Sequence, residues 1–316
     1  MSKGRNQLAS RAPFLALVLT CGACAGNTSR HDLPAVEDNL AEFQADDEVF
    51  NVSNGNKDMG DRYASAVLLL LSGIPECSAT LIHRRLALTA GHCVCPGRED
   101  KGTLTLDSSV CAKDATIVTV TYSTPDRRPY FKAYTGIVRA HPAFKAILQK
   151  KKLLVPPGTA IQGAMDEAGV QYVTVHTVVE SRADLAIISL NEDVESTLPI
   201  TPLARTNVQV RETVVVVGYG ADTVKNGFVG FTGDEPTRRF GKNVIARRSG
   251  ETFVIEDPGP LALPGDSGGP CFRDDAKGIS LVGINSRSTP GRKASFTSTY
   301  SYLKWLDEEL KQADKL

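Results

Sequence analysis

The chain is 316 residues long and sets 36 Lys plus Arg against 36 Asp plus Glu. With no basic excess to neutralise phosphates, that balance argues against a dedicated nucleic-acid binder. Hydrophobic residues at 41% beside 23% charged exclude a disordered chain and an integral membrane protein, and the length allows one large domain or two ordinary ones.

Residues 1–25 read as an export signal. Lys3, Arg5 and Arg11 precede an apolar stretch, Ala12 to Ala25, that is too short to span a bilayer. No acid occurs before Asp32, and Ala23-Cys24-Ala25 offers the small-x-small pattern of a signal-peptidase site. The rival reading is lipoprotein processing at Cys21 or Cys24, which would tie the mature chain to a membrane through a lipidated cysteine. Thr20 before Cys21, and Cys21 three places before Cys24, fit that pattern badly. The expected location is extracellular or periplasmic, where disulfides form, with a lipid-anchored envelope protein as the alternative.

Residues 26–51 hold seven acids (Asp32, Glu37, Asp38, Glu42, Asp46, Asp47, Glu48) against Arg30, the composition of a linker or of a propeptide. Short β-rich runs follow at Ala66–Leu71, Ala79–Leu88, Ala115–Tyr122, Thr135–His141, Val170–Val179, Leu185–Leu190, Thr213–Gly218, Thr252–Glu256 and Ile279–Ile284. Only Thr299 to Gln312 reads as a helix, with Tyr302, Leu303, Leu306 and Leu310 at helical spacing. No repeat of fixed period is evident. The pattern is that of an all-β chain of barrels or sandwiches with a C-terminal helix.

Chemistry concentrates at Pro264-Gly265-Asp266-Ser267-Gly268-Gly269-Pro270. Its glycines permit a tight turn whose N–H groups converge, so a nucleophile and oxyanion donors can share one rigid loop. A hydroxyl needs a base, and five histidines are available. His31, His83, His141 and His176 lie in acidic, polar, pre-proline or alternating contexts and read as surface or structural residues. His92 differs: it ends the run Leu88-Thr89-Ala90-Gly91-His92-Cys93, where a buried strand turns into a cysteine-tethered loop. Asp184 stands alone before the apolar Leu185-Ala186-Ile187-Ile188, and a lone acid there is costly unless hydrogen-bonded. Asp166 and Glu167 lie in a polar stretch and read as solvated charges.

These strings resemble, in chain order, those of the trypsin-like (chymotrypsin-fold) serine endopeptidases: TAGHC at 89–93, DLAII at 184–188 and GDSGGP at 265–270. The likeness extends from about residue 52 to the end. Cys77-Ser78-Ala79-Thr80-Leu81-Ile82 resembles the strand before the His, and His141-Pro142-Ala143-Phe144 a conserved step of the family. Val217-Gly218-Tyr219-Gly220 resembles the start of the second barrel, Gly283-Ile284 with Ser286 the substrate-binding edge strand, and Phe296-Thr297 the last strand. The resemblance, to a bacterial-type secreted member, implies two antiparallel six-stranded β-barrels, about 52–200 and 201–300, and a C-terminal helix at about 299–313. It also implies His92 as general base, Asp184 as its orienting partner and Ser267 as nucleophile, with the N–H groups of Gly265 and Ser267 as the oxyanion hole. The implied activity is endopeptidase cleavage of protein or peptide substrates through an acyl-enzyme, without a cofactor and with a monomer as the expected state. A catalytically silent protease-fold binding protein is the alternative.

The resemblance gives residues 26–51 a role as propeptide. Val52-Ser53-Asn54-Gly55 is similar to the family's mature start, whose freed α-amino group would pair with Asp266. Asn51 stands where the family has Arg or Lys, so a trypsin-type activator would not cut there. Other departures bear on specificity. Leu261 takes the place, six before the nucleophile, of the carboxylate that binds Arg or Lys, so a preference for apolar or small side chains is expected. Leu263 replaces a common cysteine, and Arg287 and Ser288 replace a common Trp and Gly at the pocket rim. His92 and Asp184 are 184 − 92 = 92 residues apart, about twice the family's usual gap. The excess falls in the loop with Cys95 and Cys111 and in Lys145–Gly169, expected to be loops over the cleft, with Lys150-Lys151-Lys152 as a solvated loop or, alternatively, an exosite for acidic partners. Cys77–Cys93 is the bridge that the motif implies, Cys95–Cys111 a second within the insertion, and Cys271 is left buried and free. The cysteines and histidines show no metal spacing.

By region the charge divides unevenly: +3 over 1–25, 1 − 7 = −6 over 26–51 and 32 − 29 = +3 over 52–316. An acidic propeptide on a mildly basic domain favours their association.

Overall fold

The computed structural model describes residues 55–122, 128–154, 164–165, 171–220, 223–225, 228–230, 237–263, 265–289 and 292–315. The expected signal, the acidic segment and Val52 lie outside them, as do Cys21, Cys24, His31, Asp166 and Glu167. In chain order the strands up to the middle are β1 (Asn56–Lys57), β2 (Ala66–Leu71), β3 (Ile74–His83), β4 (Leu86–Thr89), β5 (Arg98–Asp100), β6 (Thr103–Asp107), β7 (Asp114–Thr121), β8 (Tyr130–Ala140), β9 (Lys145–Leu154), β10 (Ala164–Met165), β11 (Gln171–Arg182) and β12 (Ala186–Leu190). Then come β13 (Thr213–Gly218), β14 (Thr223–Lys225), β15 (Phe228–Gly230), β16 (Arg239–Ser249), β17 (Thr252–Glu256), β18 (Pro270–Asp275), β19 (Gly278–Thr289), β20 (Lys293–Ser298) and the helix α1 (Leu303–Ala313). This is the chymotrypsin fold: two closed six-stranded antiparallel barrels and one C-terminal helix.

The first barrel closes in the order β12-β4-β3-β2-β7-β8. Closure follows from β12, which pairs with β4 on one side and β8 on the other. Alternation sets the inner face: Tyr134, Gly136 and Val138 of β8 are buried, whereas Ala133, Thr135 and Ile137 face solvent. The run read from sequence as one strand, Ala79–Leu88, is two, β3 and β4, joined at Arg84-Arg85. Two adjacent guanidinium groups cannot enter the core, and His83 Nδ1 accepts the Arg85 N–H at 3.1 Å to close the turn.

The second barrel runs β16-β13-β18-β19-β20-β17 and closes by the β16–β17 pairing, with β1 added outside β16. Its core gathers Val214, Val216, Ile245, Phe253, Ile255 and Phe296. Phe253 and Phe296 stack at 5.2 Å between centroids.

Both insertions, expected as loops, build a third sheet, β10-β11-β9-β6-β5. The Lys150-Lys151-Lys152 run belongs to strand β9, and Lys150 Nζ reaches Glu99 Oε1 on β5 at 2.7 Å. The sequence hid this strand because KAILQKKKLL has no period of two. A Cys95–Cys111 disulfide closes the base of the β5–β6 hairpin.

The helix begins later than its apolar spacing indicated: Thr299–Tyr302 form a 3₁₀ turn and α1 starts at Leu303. Leu306 and Ala313 are buried, and Glu309 pairs with Arg139 of β8, which fastens the helix to the first barrel. Among the described residues no helix is long and apolar enough to cross a membrane.

The segment just after residue 55 is bound to both barrels. Tyr63, 2% exposed, lies against Phe240 at 5.0 Å and Phe272 at 5.8 Å. Arg238, with no exposed surface, donates to Asp58 Oδ2 at 2.8 Å, Asp61 Oδ1 at 2.7 Å, Val120 O at 2.6 Å and Tyr219 Oη at 3.0 Å. One guanidinium thus ties the N-terminal segment (Asp58, Asp61), the first barrel (Val120) and the second (Tyr219).

Candidate active site

The apolar strand β4 ends at Thr89, and a 3₁₀ turn, Gly91–Cys93, lifts His92 out of the first barrel. The Cys77–Cys93 disulfide pins this turn to β3. Asp184 lies in the link between β11 and β12, with its side chain 3% exposed. The Asp184 Oδ2 to His92 Nδ1 distance is 2.8 Å, and Oδ1 accepts the His92 backbone N–H at 2.9 Å. From the second barrel, Ser286 Oγ donates to the same Oδ2 at 2.6 Å. Ser286, expected from sequence at the substrate-binding edge, thus turns its hydroxyl to the carboxylate. A serine on an apolar strand carries no sequence signal for that partner.

These contacts fix the charges. Burial opposes the ionised form of Asp184, but His92 and the Ser286 hydroxyl outweigh it and hold its carboxyl below the usual range. Burial likewise opposes a charged His92, yet the facing carboxylate and its hydrogen bond raise the imidazole above its ordinary 6.5. An acceptor at Nδ1 selects the tautomer with the proton there, leaving Nε2 to accept. Nε2 is 3.8 Å from Cys93 Sγ. Cys77, His92 and Cys93 present ligand atoms within 4.8 Å of one another, but the two sulfurs are bonded together, so no thiolate pair is offered to a metal.

Ser267 is carried on a loop docked against the first barrel. The Ser78 N–H donates to Ser267 O at 2.8 Å, and Ser78 Oγ donates to Gly265 O at 3.0 Å. Thr89 Oγ1 in turn donates to Ser78 O at 2.9 Å. A Cβ on Gly268, at φ +75°, would come within 2.1 Å of Thr89 Oγ1, so only glycine lets the loop approach the strand that leads to His92. The loop's other face is held by Asn285, whose carbonyl accepts the Gly268 N–H at 2.8 Å and whose N–H donates to Gly269 O at 2.9 Å. Among the described residues no hydrogen bond uses the N–H of Gly265 or of Ser267.

Asp266, fully buried, accepts from Gly220 N–H at 2.7 Å and Leu263 N–H at 2.8 Å. Burial nevertheless outweighs these two hydrogen bonds and pushes its carboxyl up to about 6. Leu261 is fully buried, whereas Arg287 and Ser288 lie half-buried on β19. Cys271 is buried and free. His83 and His141 are engaged elsewhere: His83 faces Asp314 at 3.4 Å, and His141 lies edge-on to Tyr302 and Trp305.

Residues 158–306 match the family model described as Trypsin. That stretch includes Asp184 and Ser267 and begins after His92. Among solved structures, the chain is similar to a mutant of human heparin binding protein at 17% identity and a TM-score of 0.51, over 82% of this chain and 96% of that one. It is similar also to neuropsin, a serine protease expressed in the limbic system of mouse brain, at 14% identity and a TM-score of 0.53, over 81% and 99%. At these identities the likeness is one of fold. No curated protein matches the chain.

Proposed function

We propose that this trypsin-like serine protease is an exported endopeptidase that cleaves peptide bonds with Ser267, His92 and Asp184. The observation that carries the reading is the Ser286–Asp184–His92 chain of short hydrogen bonds together with a Ser267 loop whose Gly265 and Ser267 amides have no partner among the described residues. In the proposed reaction Ser267 Oγ attacks the substrate carbonyl as His92 Nε2 takes its proton, and the two amides receive the oxyanion. Collapse expels the amine, which takes that proton from His92 and leaves an ester on Ser267. Water, deprotonated by the same nitrogen, then releases the acid and restores the hydroxyl.

The chain is further proposed to be made as a zymogen. A buried Asp266 with two N–H donors and a raised pKa is a carboxylate suited to receive an α-amino group freed at Val52. The proposed parts are a signal at 1–25, a propeptide at 26–51 and a peptidase domain at 52–316, acting on protein or peptide substrates other than those with Arg or Lys before the scissile bond. The second reading, a binding protein without turnover, draws on the likeness to heparin binding protein. Retention of all three side chains opposes it.

The test is a pH profile of peptide hydrolysis by the matured protein. Only neutral His92 can accept a proton, and its pKa is raised, so the acid limb of kcat/KM is expected above 6.5. Asp184→Asn removes the carboxylate and leaves burial unopposed. Its acid limb should move down, with kcat reduced about 10⁴-fold. A profile unmoved by Asp184→Asn would sink the assignment of His92 as base.

A further inference from the structure

We infer that Asn285 sets the residue preference of the site, and that the peptides it favours carry a carboxamide, Gln or Asn, before the scissile bond. This deepens the endopeptidase reading and rests on it. Asn285 is 1% exposed, and among the described residues neither its Oδ1 nor its Nδ2 has a hydrogen-bond partner. An amide buried without partners costs more than a hydrogen bond ordinarily contributes, so its retention calls for an occupant that completes it.

The location of that amide is fixed by β19. Asn285 pairs directly with Phe296 of β20, so the two side chains share a face of the sheet. Phe296 stacks on Phe253 inside the second barrel, in the same buried cluster as Leu261 and Ala294. Two residues before Asn285 on that face is Gly283, where a Cβ would strike the Phe253 ring at 2.6 Å. The amide therefore shares a buried sheet face with Phe296 of this apolar cluster. It is also held rigidly to the nucleophile, since the Asn285 backbone bonds Gly268 and Gly269 on one loop and Ser286 bonds Asp184 on the other.

The chemistry selects the ligand. A carboxamide offers one acceptor and one donor group, so a second carboxamide satisfies both at once. An aliphatic side chain satisfies neither. A carboxylate would leave Oδ1 unpaired, and an ammonium or guanidinium would face Nδ2 with its charge buried among Phe296, Phe253 and Leu261.

The experiment uses the matured full-length protein and peptides that differ only before the scissile bond, as Gln, Asn, Leu, Met, Glu or Lys. Fluorophosphonate labelling of the wild-type protein is measured alongside. The expected result is a kcat/KM for Gln or Asn at least tenfold above that for isosteric Leu or Met. In Asn285→Leu that ratio should invert, chiefly through KM, and Asn285→Gln should restore part of it. Thermal unfolding shows whether each variant is folded; should Asn285→Leu not fold, the wild-type ratio and Asn285→Gln decide alone. A labelled wild-type enzyme with no carboxamide preference overturns the inference and spares the endopeptidase reading, an ordered water then being the amide's only partner. Absence of labelling overturns both.

Discussion

Replacing Ser267 by alanine is expected to reduce kcat/KM for peptide hydrolysis by about 10⁴–10⁶-fold while leaving the thermal midpoint nearly unchanged. The two halves of this expectation have separate causes. Ser267 is half-exposed, and its structural bonds are made by its carbonyl, which accepts from Ser78 N–H. Its side chain can therefore be removed without disturbing the loop. The rate loss arises because alanine leaves no oxygen to attack the carbonyl, however well the amides of Gly265 and Ser267 receive the oxyanion. His92→Ala should cost about as much, and the double variant little more than either alone, since the groups act as one unit. If the double variant instead lost the product of the two single effects, the pair would be acting independently and the proposed proton transfer between them would be wrong.

Arg238→Met is expected to destabilise the folded chain by about 3–5 kcal/mol, the largest structural effect of any single change considered. Methionine matches the stem of arginine but leaves Asp58, 3% exposed, and Asp61 without their shared cation, and strands the Val120 carbonyl and the Tyr219 hydroxyl. The cost lies in the unpaired buried carboxylate more than in the lost attraction. Adding Asp58→Asn and Asp61→Asn to Arg238→Met should recover part of the loss. Denaturant unfolding with the disulfides intact measures both. A loss under about 1 kcal/mol for Arg238→Met would mean that the carboxylates find water instead.

Sequence and structure part ways at identifiable residues. The strands at Ala66–Leu71, Thr213–Gly218 and Thr252–Glu256 were legible to the residue, because buried β-branched and aliphatic runs end at turn formers there. Chain closure into barrels came from resemblance and not from periodicity, since nothing in β12 itself says that it pairs with both β4 and β8. The insertions were misread as loops because β9 is lysine-rich and gains its order from pairing with β6 and β11. At the site, the strings around His92, Asp184 and Ser267 were readable as motifs in chain order, although the His92–Asp184 spacing was not the family's. The Ser286 hydroxyl on Asp184, the Ser78 staple and the Arg238 ion pairs were not, because each joins residues far apart in the chain whose types are common anywhere. A buried arginine has no local pattern at all.

Whether Ser267 is an activated nucleophile is tested most directly by treating the matured protein with a fluorophosphonate and mapping the modified peptide by mass. The account predicts one phosphonyl group on Ser267, absent from Ser267→Ala and slowed in His92→Ala. An unmodified protein, or equal modification of Ser267→Ala at another residue, would contradict it.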